Sequence, residues 1–141
     1  MTSVVLDASA ALAWMLRSQA TPAATAFLRD GDAWTFEVPA IFSWEVLNVL
    51  VTLERRGSLS KTAYEEALAI YRRLDLRANG STIDMDNLVA LARRTGLSLF
   101  DTAYLALALD REWALASRDE ALLAVAAQIG LRCFDLRATS A

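Results

Sequence analysis

The sequence predicts an α/β fold in which helices cover both faces of a parallel β-sheet. Short apolar runs alternate along the chain with longer segments of helical length, and this alternation is typical of parallel sheets that are buried on both sides. The composition agrees, because 55% of the residues are hydrophobic and only 5 Gly and 2 Pro interrupt the pattern. At 141 residues the chain fits one domain. We place that domain at residues 1–136 and a loose tail at 137–141.

Turn and cap residues divide the first half of the chain. Pro22 suits the first turn of a helix, the letters DGD at 30–32 are typical of a turn, and Gly57 is expected to end a long helix. The resulting elements are, in order, a strand at 4–6, helices at 8–16 and 21–28, a strand at 34–38 and a helix at 39–56.

The second half is divided in the same way. Ser60, Asp84 and Ser98 are expected helix N-caps, Gly96 is an expected helix end, and the letters NGS at 79–81 indicate a turn. The elements are a helix from 60 to 76, a brief strand at 82–83, helices at 84–95 and 98–111, a strand at 114–116, a helix at 119–128 and a strand at 132–134.

Composition limits the compartment and the kind of partner. The single cysteine, Cys133, cannot form an intramolecular disulfide, which favours a reducing compartment. No basic leader precedes the first apolar run, and no charge-free stretch approaches the ~20 residues of a membrane span. We therefore expect a cytoplasmic protein that does not contact membranes. A net charge of −3 and a pI of about 4.9 disfavour a passive nucleic-acid coat.

Two aspartates follow predicted strands. Asp7 comes directly after the first strand, and Asp119 lies three residues beyond the fourth. Ligands of open parallel sheets bind beyond the carboxyl ends of the strands, so both aspartates are candidates for a site. A capping box from Ser117 to Glu120 is the alternative for Asp119, which would then be an ordinary first-turn acid. Ser9 is the expected cap of the first helix.

Glu45 is predicted to lie on a buried helix. The segment IFSWEVLNVLVTL is apolar on nearly every side of a helix, and a helix that is apolar all round is buried. Its polar stripe consists of Glu45, Asn48, Thr52 and Arg55. An unpaired carboxylate is costly to bury, so Glu45 needs either a partner in a polar seam or a wet cleft, and this helix alone leaves both open.

Asp101 stands near the start of a helix and shares its face with residues that pack, Tyr104 among them. The segment from Ser98 to Asp101 matches a capping box, in which the fourth residue turns back onto the N-cap amide. Capping and a functional role can coexist here, because the start of a helix can form the edge of a cleft.

Four acids considered together, Asp7, Glu45, Asp101 and Asp119, predict a divalent cation. Converging carboxylates repel one another and take up protons unless a cation is present, and Mg²⁺ and Mn²⁺ prefer oxygen ligands, waters and substrate phosphate. The chain has no histidine, which excludes His-based catalysis and disfavours zinc. It also has no glycine-rich phosphate loop. The matching reaction is phosphodiester hydrolysis by metal-activated water.

Four motifs occur in order along nearly the whole chain. They are VLDASAALAW with Asp7 and Ser9, SWEVLNVL with Glu45 and Asn48, GLSLFDTAYLALA with Asp101, and ALASRDEALLAVAAQIGLRCF with Ser117 and Asp119. In these motifs the chain resembles the PIN-domain family, and specifically the VapC-type toxins of bacterial toxin–antitoxin pairs. Serine at 117, where threonine is common, is a departure from the family pattern, and the fourth acid is the most variable of the family.

The resemblance implies a three-layer α/β/α sandwich with a central parallel sheet, and an endoribonuclease that depends on Mg²⁺ or Mn²⁺. It implies that the metal is bound directly or through water by Asp7, Glu45, Asp101 and Asp119, with Ser9, Asn48 and Ser117 in support. The expected partners are an RNA substrate, a small antitoxin protein that obstructs the site, and a second copy in a homodimer.

Arginines at the rim would be needed to hold RNA, and Arg118, adjacent to Asp119, is the preferred candidate. Two other classes of function are considered. A PIN-like module that is catalytically weak could act by binding RNA or a protein partner. A phosphatase or receiver domain with Asp7 as nucleophile or phospho-acceptor is disfavoured, because Ser9 stands where such a phosphatase has a second acid.

Overall fold

The computed structural model of the chain describes residues 2–80 and 83–137. Within them, five strands form one parallel sheet in the order β3-β2-β1-β4-β5. The strands are β1 (Thr2–Leu6), β2 (Trp34–Pro39), β3 (Leu76–Asn79), β4 (Ala114–Ser117) and β5 (Cys133–Asp135). The helices are α1 (Ala8–Met15), α2 (Pro22–Arg29), α3 (Phe42–Arg55), α4 (Lys61–Arg73), α5 (Met85–Thr95), α6 (Leu99–Arg111) and α7 (Glu120–Ile129).

Helices cover both faces of the sheet, as predicted. On one side α1 contacts α2, α3 and α4, and on the other α6 contacts α5 and α7. The central strand β1 is fully buried at Val4, Val5 and Leu6, because it has a strand on either side and helices above and below. The α/β/α sandwich with a central parallel sheet is therefore confirmed. Among the described residues, no helix is both long and apolar enough to span a membrane.

Strand β1 is the switch point of the sheet, because β2 and β3 lie on one side of it and β4 and β5 on the other. It pairs with β2 on one side and with β4 on the other, so the helices that follow β1 and β4 leave the sheet at neighbouring positions. Asp7 follows β1, and Ser117 is the last residue of β4. Ligands of such sheets bind in the crevice at this point.

The third strand differs from the prediction. The helix expected to reach residue 76 ends at Arg73, and β3 lies at Leu76–Asn79, where it pairs with Phe36 to Pro39 of β2. Of the strand expected at 82–83, Thr82 lies outside the described residues and Ile83 lies in a bend. Pro39, the expected start of the long helix, is instead the end of β2. In the expected tail, residues 138–141 also lie outside the described part of the chain.

Helix α3 is not buried on all sides, and the prediction that it would be is wrong. It buries one stripe, formed by Phe42, Val46 and Leu50, against the rest of the core. Trp44, next to Glu45, is 81% exposed. The apolar residues of this helix are thus more numerous than its contact with the sheet requires.

Glu37 is a buried carboxylate that is not one of the four predicted site acids. It lies on β2 opposite Val5 of β1 and Arg77 of β3. The residue is 2% exposed, and the guanidinium of Arg77 approaches its Oε2 atom to 3.9 Å. In the described part of the chain, Oε2 has no hydrogen-bond partner. Burying a charge with so few partners costs stability.

Glu37→Met is therefore expected to raise the free energy of unfolding by about 1 kcal/mol or more, since an apolar residue of similar volume removes a poorly compensated charge. Arg77→Met is the matched control, and it is expected to lower the free energy of unfolding because the carboxylate loses its counter-ion. Urea denaturation of both variants measures the difference. A Glu37→Met protein that unfolds more readily than the wild type would contradict this reasoning.

Candidate metal centre

Asp7 stands where β1 gives way to α1, and it caps that helix. Its Oδ1 accepts hydrogen bonds from the Ala10 N–H at 2.9 Å and the Ser9 hydroxyl at 2.7 Å, and its Oδ2 accepts one from the Ser117 hydroxyl at 2.5 Å. The expectation that Ser9 caps α1 is therefore wrong, because it is the carboxylate of Asp7 that accepts from the N–H of Ala10 in the first turn. Ser9 instead binds that carboxylate.

The carboxyl group of Asp7 is hard to ionise in this environment. Burial raises the pKa of Asp7 to about 6, although the hydrogen bonds from Ser117, Ser9 and Ala10 act to lower it. The charge of Asp101 adds to the rise. A cation placed beside Asp7 would reverse this effect, because it favours the ionised form.

Two serines join the end of β4 to the start of α1. Besides binding Asp7, Ser117 Oγ accepts a hydrogen bond from the N–H of Asp119 at 2.8 Å, and Ser9 Oγ accepts one from the N–H of Arg118 at 2.9 Å. Asp119 itself is the N-cap of α7, since its Oδ1 accepts from the Leu122 N–H at 2.8 Å. The alternative in which Ser117 caps this helix is wrong.

Glu45 is held by Tyr104, for which the sequence predicts only a packing role. Tyr104 Oη donates to Glu45 Oε1 at 2.6 Å. Partial burial raises the pKa of Glu45, the Tyr104 hydrogen bond lowers it, and the charge of Asp101 raises it again. The sequence feature that points to this role is the position of Tyr104, three residues after Asp101 on the same face of α6.

Asp101 lies in the first turn of α6, and its N–H donates to the Ser98 hydroxyl at 3.1 Å. Burial raises its pKa, and the charge of Asp119 raises it further. One cavity of about 200 Å³ is lined by Asp7, Ser9, Gln19, Glu45, Asp101, Tyr104 and Asp119, among other residues. The structure thus brings all four acids together at the carboxyl edge of the sheet.

The PIN domain family model matches residues 4–128 of the chain. The chain belongs to the PIN domain family. PIN domains are typically metal-dependent nucleases that use divalent ions. No curated protein sequence matches this chain significantly.

Solved structures share this fold at low sequence identity. PAE2754 from Pyrobaculum aerophilum is 18% identical with a TM-score of 0.70, over 94% of this chain and 84% of that one. FitAcB from Neisseria gonorrhoeae is 16% identical with a TM-score of 0.63, over 95% and 98%. A domain of a functionally unknown protein from Methanocaldococcus jannaschii is 14% identical with a TM-score of 0.55, over 100% and 95%. At these identities the likeness concerns the fold alone.

The cavity of this PIN domain fits a hydrated divalent cation. Within residues 2–80 and 83–137, no three carboxylates lie close enough to hold one ion by themselves. Mg²⁺ does not require that, because it keeps several waters and uses one or two carboxylates. In the same ranges, none of the four acids is within 4.0 Å of an arginine or lysine nitrogen. The raised pKa values of Asp7, Glu45 and Asp101 reflect burial and mutual repulsion that a cation would offset.

Neither Asn48, a predicted supporting residue, nor Arg118, the predicted RNA contact, is among the residues that line the carboxylate cavity. Asn48 is exposed on α3, and the cavity is lined there by Glu45 and Val49. Arg118 is partly buried, and its guanidinium donates to the carbonyl oxygen of Ser9 at 3.0 Å and to Gln19 Oε1 at 2.5 Å. A contact of Asn48 or Arg118 with RNA stays a prediction.

An apolar groove lies next to the carboxylate cavity, since Phe100 lines the groove and the following residue, Asp101, lines the cavity. This cavity of about 230 Å³ is lined by Ile41, Leu99, Phe100 and Ala103, among other residues. Phe100 is 58% exposed and directly precedes Asp101, as the exposed Trp44 precedes Glu45. Large exposed apolar side chains in one region are typical of surfaces that contact other proteins.

Proposed function

We propose that this PIN domain is a VapC-type toxin, a metal-dependent endoribonuclease that cleaves RNA in the cytoplasm and is held in check by an antitoxin. The observation that carries the proposal is the single cavity lined by Asp7, Glu45, Asp101 and Asp119, in which three carboxyl groups have raised pKa values. A group of one buried and three half-buried acids, with no basic partner within salt-bridge distance in the described part of the chain, is suited to a cation and to the phosphate that the cation attracts.

The chain's own residues would hold the ion and orient its ligands. Asp7, Glu45 and Asp101 would bind Mg²⁺ or Mn²⁺ directly or through water, with Asp119 assisting. When bound, the ion lowers the pKa of a water molecule and stabilises the negative charge that develops on the phosphate. Ser9 and Ser117 hold the carboxylate of Asp7 in place, and outer hydrogen bonds of this kind orient metal ligands.

Tyr104 performs the same task for Glu45. Burial and the adjacent carboxylate of Glu45 raise the pKa of Tyr104, so the phenol stays protonated and donates its hydrogen bond at neutral pH. Glu45 Oε1 is thereby held by a hydrogen bond, and the other lone pairs of the carboxylate can take part in binding a water or the ion.

Two protein partners follow from the same proposal. An antitoxin segment would lie across the cavity, and a second copy would form a homodimer. The apolar groove supports a protein contact on this side of the molecule. Helix α5 supports the homodimer, because acids stand at its start and Arg93 and Arg94 in its last turn. Two such helices packed antiparallel would place opposite charges together.

The apolar groove also favours a second candidate function, a catalytically weak module that acts by binding a partner. Cleavage assays in vitro and in cells separate the toxin from the binding module. The purified chain is incubated with single-stranded RNA and Mn²⁺ or Mg²⁺, with and without a chelator. In cells, transcripts are mapped after the chain is induced, and Asp7→Asn is the control in both assays. We expect discrete cuts that the chelator and the substitution abolish. No cleavage with either ion, together with growth inhibition that Asp7→Asn leaves intact, would favour the binding module.

A further inference from the structure

The side chain of Arg118 is tied to two neutral oxygens although it stands beside Asp119 in the chain. Its Nε donates to the carbonyl oxygen of Ser9, and its Nη2 donates to the side chain of Gln19. Across the described ranges it forms no ion pair within 4.0 Å. The guanidinium of Arg118 thus binds neutral acceptors, although four carboxylates lie nearby. Its position is therefore explained by these two hydrogen bonds and not by neutralisation of the acids.

The contact with Arg118 determines which way the amide of Gln19 faces. A guanidinium has only donors, so the amide atom 2.5 Å from Nη2 must be the oxygen, and the amide cannot be turned over. The amide NH₂ is consequently left to face elsewhere, and Gln19 lines the carboxylate cavity. Among the described residues, this NH₂ group has no hydrogen-bond acceptor.

Most of the polar groups around the cavity cannot serve a substrate as donors. The carboxylates only accept when ionised, and the hydroxyls of Ser9 and Tyr104 already donate to Asp7 and Glu45. An amide NH₂ suits a phosphate oxygen that enters the cavity. It is also neutral, so it can donate to a phosphate without neutralising the acids that would hold the cation.

We propose that Gln19 donates a hydrogen bond to a phosphate oxygen of the bound RNA strand and that Arg118 is the positioning residue that aims it. The inference rests on the proposed ribonuclease function. The backbone of Gln19 is fixed, since its N–H donates to the carbonyl oxygen of Leu16 at 3.1 Å. Arg118 fixes the other end of the side chain, which reduces the entropy lost when RNA binds.

Substitutions at Gln19 separate the donor role from a structural one. Gln19→Glu keeps an oxygen for Arg118 but replaces the NH₂ donor with a second acceptor, and Gln19→Met removes both. We expect each to raise the KM for a single-stranded RNA about tenfold, the usual effect of losing a hydrogen bond to a charged group, with kcat changed less than about threefold. Ser18→Glu is the control for added charge, because Ser18 is exposed on the same turn, and it is expected to leave KM nearly unchanged.

Arg118→Met tests the positioning role. It should raise KM by less than Gln19→Met, and it should add little in the Gln19→Met background, since one residue acts through the other. Mn²⁺ affinity without RNA, measured by titration calorimetry, should stay within about twofold of wild type in the Gln19→Met protein, which adds no charge to the cavity. A role confined to folding would lower thermal stability and leave KM unchanged.

Two results would overturn the inference. One is a Gln19→Glu enzyme with the KM of the wild type. The other is full additivity of the Gln19→Met and Arg118→Met effects, which would make Arg118 an RNA contact by itself. In both cases the wild type still cuts RNA and the proposed function stands. A wild-type chain that cuts no RNA with either ion would remove the proposed function and this inference together.

Discussion

Asp101→Asn is expected to reduce RNA cleavage by about a thousandfold. The amide keeps the shape of the side chain but removes one of the charges that would hold the ion, and a catalytic metal supplies several kcal/mol of transition-state stabilisation. The fold should survive, because Asp101 is only partly buried and the bond from its backbone N–H to Ser98 does not involve the carboxylate. Cleavage of a labelled RNA under saturating Mn²⁺ measures the loss, and circular dichroism verifies the fold.

Asp86→Asn is the matched control for that substitution. Asp86 is an exposed acid in the first turn of α5, just as Asp101 is an acid in the first turn of α6. Both changes remove one negative charge from the start of a helix, but Asp86 does not line the carboxylate cavity. The control should cut RNA at the wild-type rate. Equal rates for the Asp101→Asn protein and the control would show that this acid plays no part in catalysis.

The four acids could be predicted from the sequence because their separate positions have a common physical basis. Asp7 and Asp119 follow strands that become neighbours in a parallel sheet, and the sheet edge where they meet is set by the order of strands. Glu45 and Asp101 come from helices that reach the same edge. Gln19 and Tyr104 could not be identified in this way, since their roles depend on side-chain contacts between distant parts of the chain.

Helix caps were harder to assign than helices. Serine and aspartate serve about equally well as N-caps, and both occur within three residues at the starts of α1 and α7. The sequence pattern favours the serines, whereas Asp7 and Asp119 are the caps in the structure. What decides the choice is where the preceding strand ends, and the boundary of an element is its least certain part.

Strand β3 and helix α3 depart from prediction for opposite reasons. β3 is an edge strand with Arg77 and Ala78 exposed, and it is stabilised by pairing with β2 instead of by apolar residues of its own. Helix α3 carries more apolar residues than the core uses, with Trp44 left exposed. An apolar pattern shows that a surface avoids water, but it does not show whether the same chain or a partner covers that surface.

Asp7→Asn is expected to stabilise the metal-free protein at neutral pH while abolishing cleavage. Asp7 is 3% exposed, and its pKa is raised from 3.8 to about 6. Keeping this group ionised at pH 7 therefore costs about 3 kcal/mol of folding free energy. Asparagine avoids most of that cost and can still accept from the Ala10 N–H, although the hydroxyl of Ser117 must turn to accept instead of donate. Urea denaturation in the presence of a chelator measures the gain.

The dependence of that gain on pH identifies its cause. Because the pKa of Asp7 is higher in the folded state, the folded protein binds more protons than the unfolded one between pH 3.8 and about 6. The contribution of Asp7 to the free energy of unfolding is thus fully present below pH 3.8, decreases as the pH rises to about 6, and stays constant above that. The difference in free energy of unfolding between Asp7→Asn and wild type should be small at pH 4.5 and largest above pH 6.

Saturating Mn²⁺ should narrow or reverse this gap at pH 7.5, since the ion stabilises the wild type that binds it. A gap of the same size at every pH, or a less stable variant at pH 7.5 without metal, would show that the buried charge of Asp7 does not cost folding free energy.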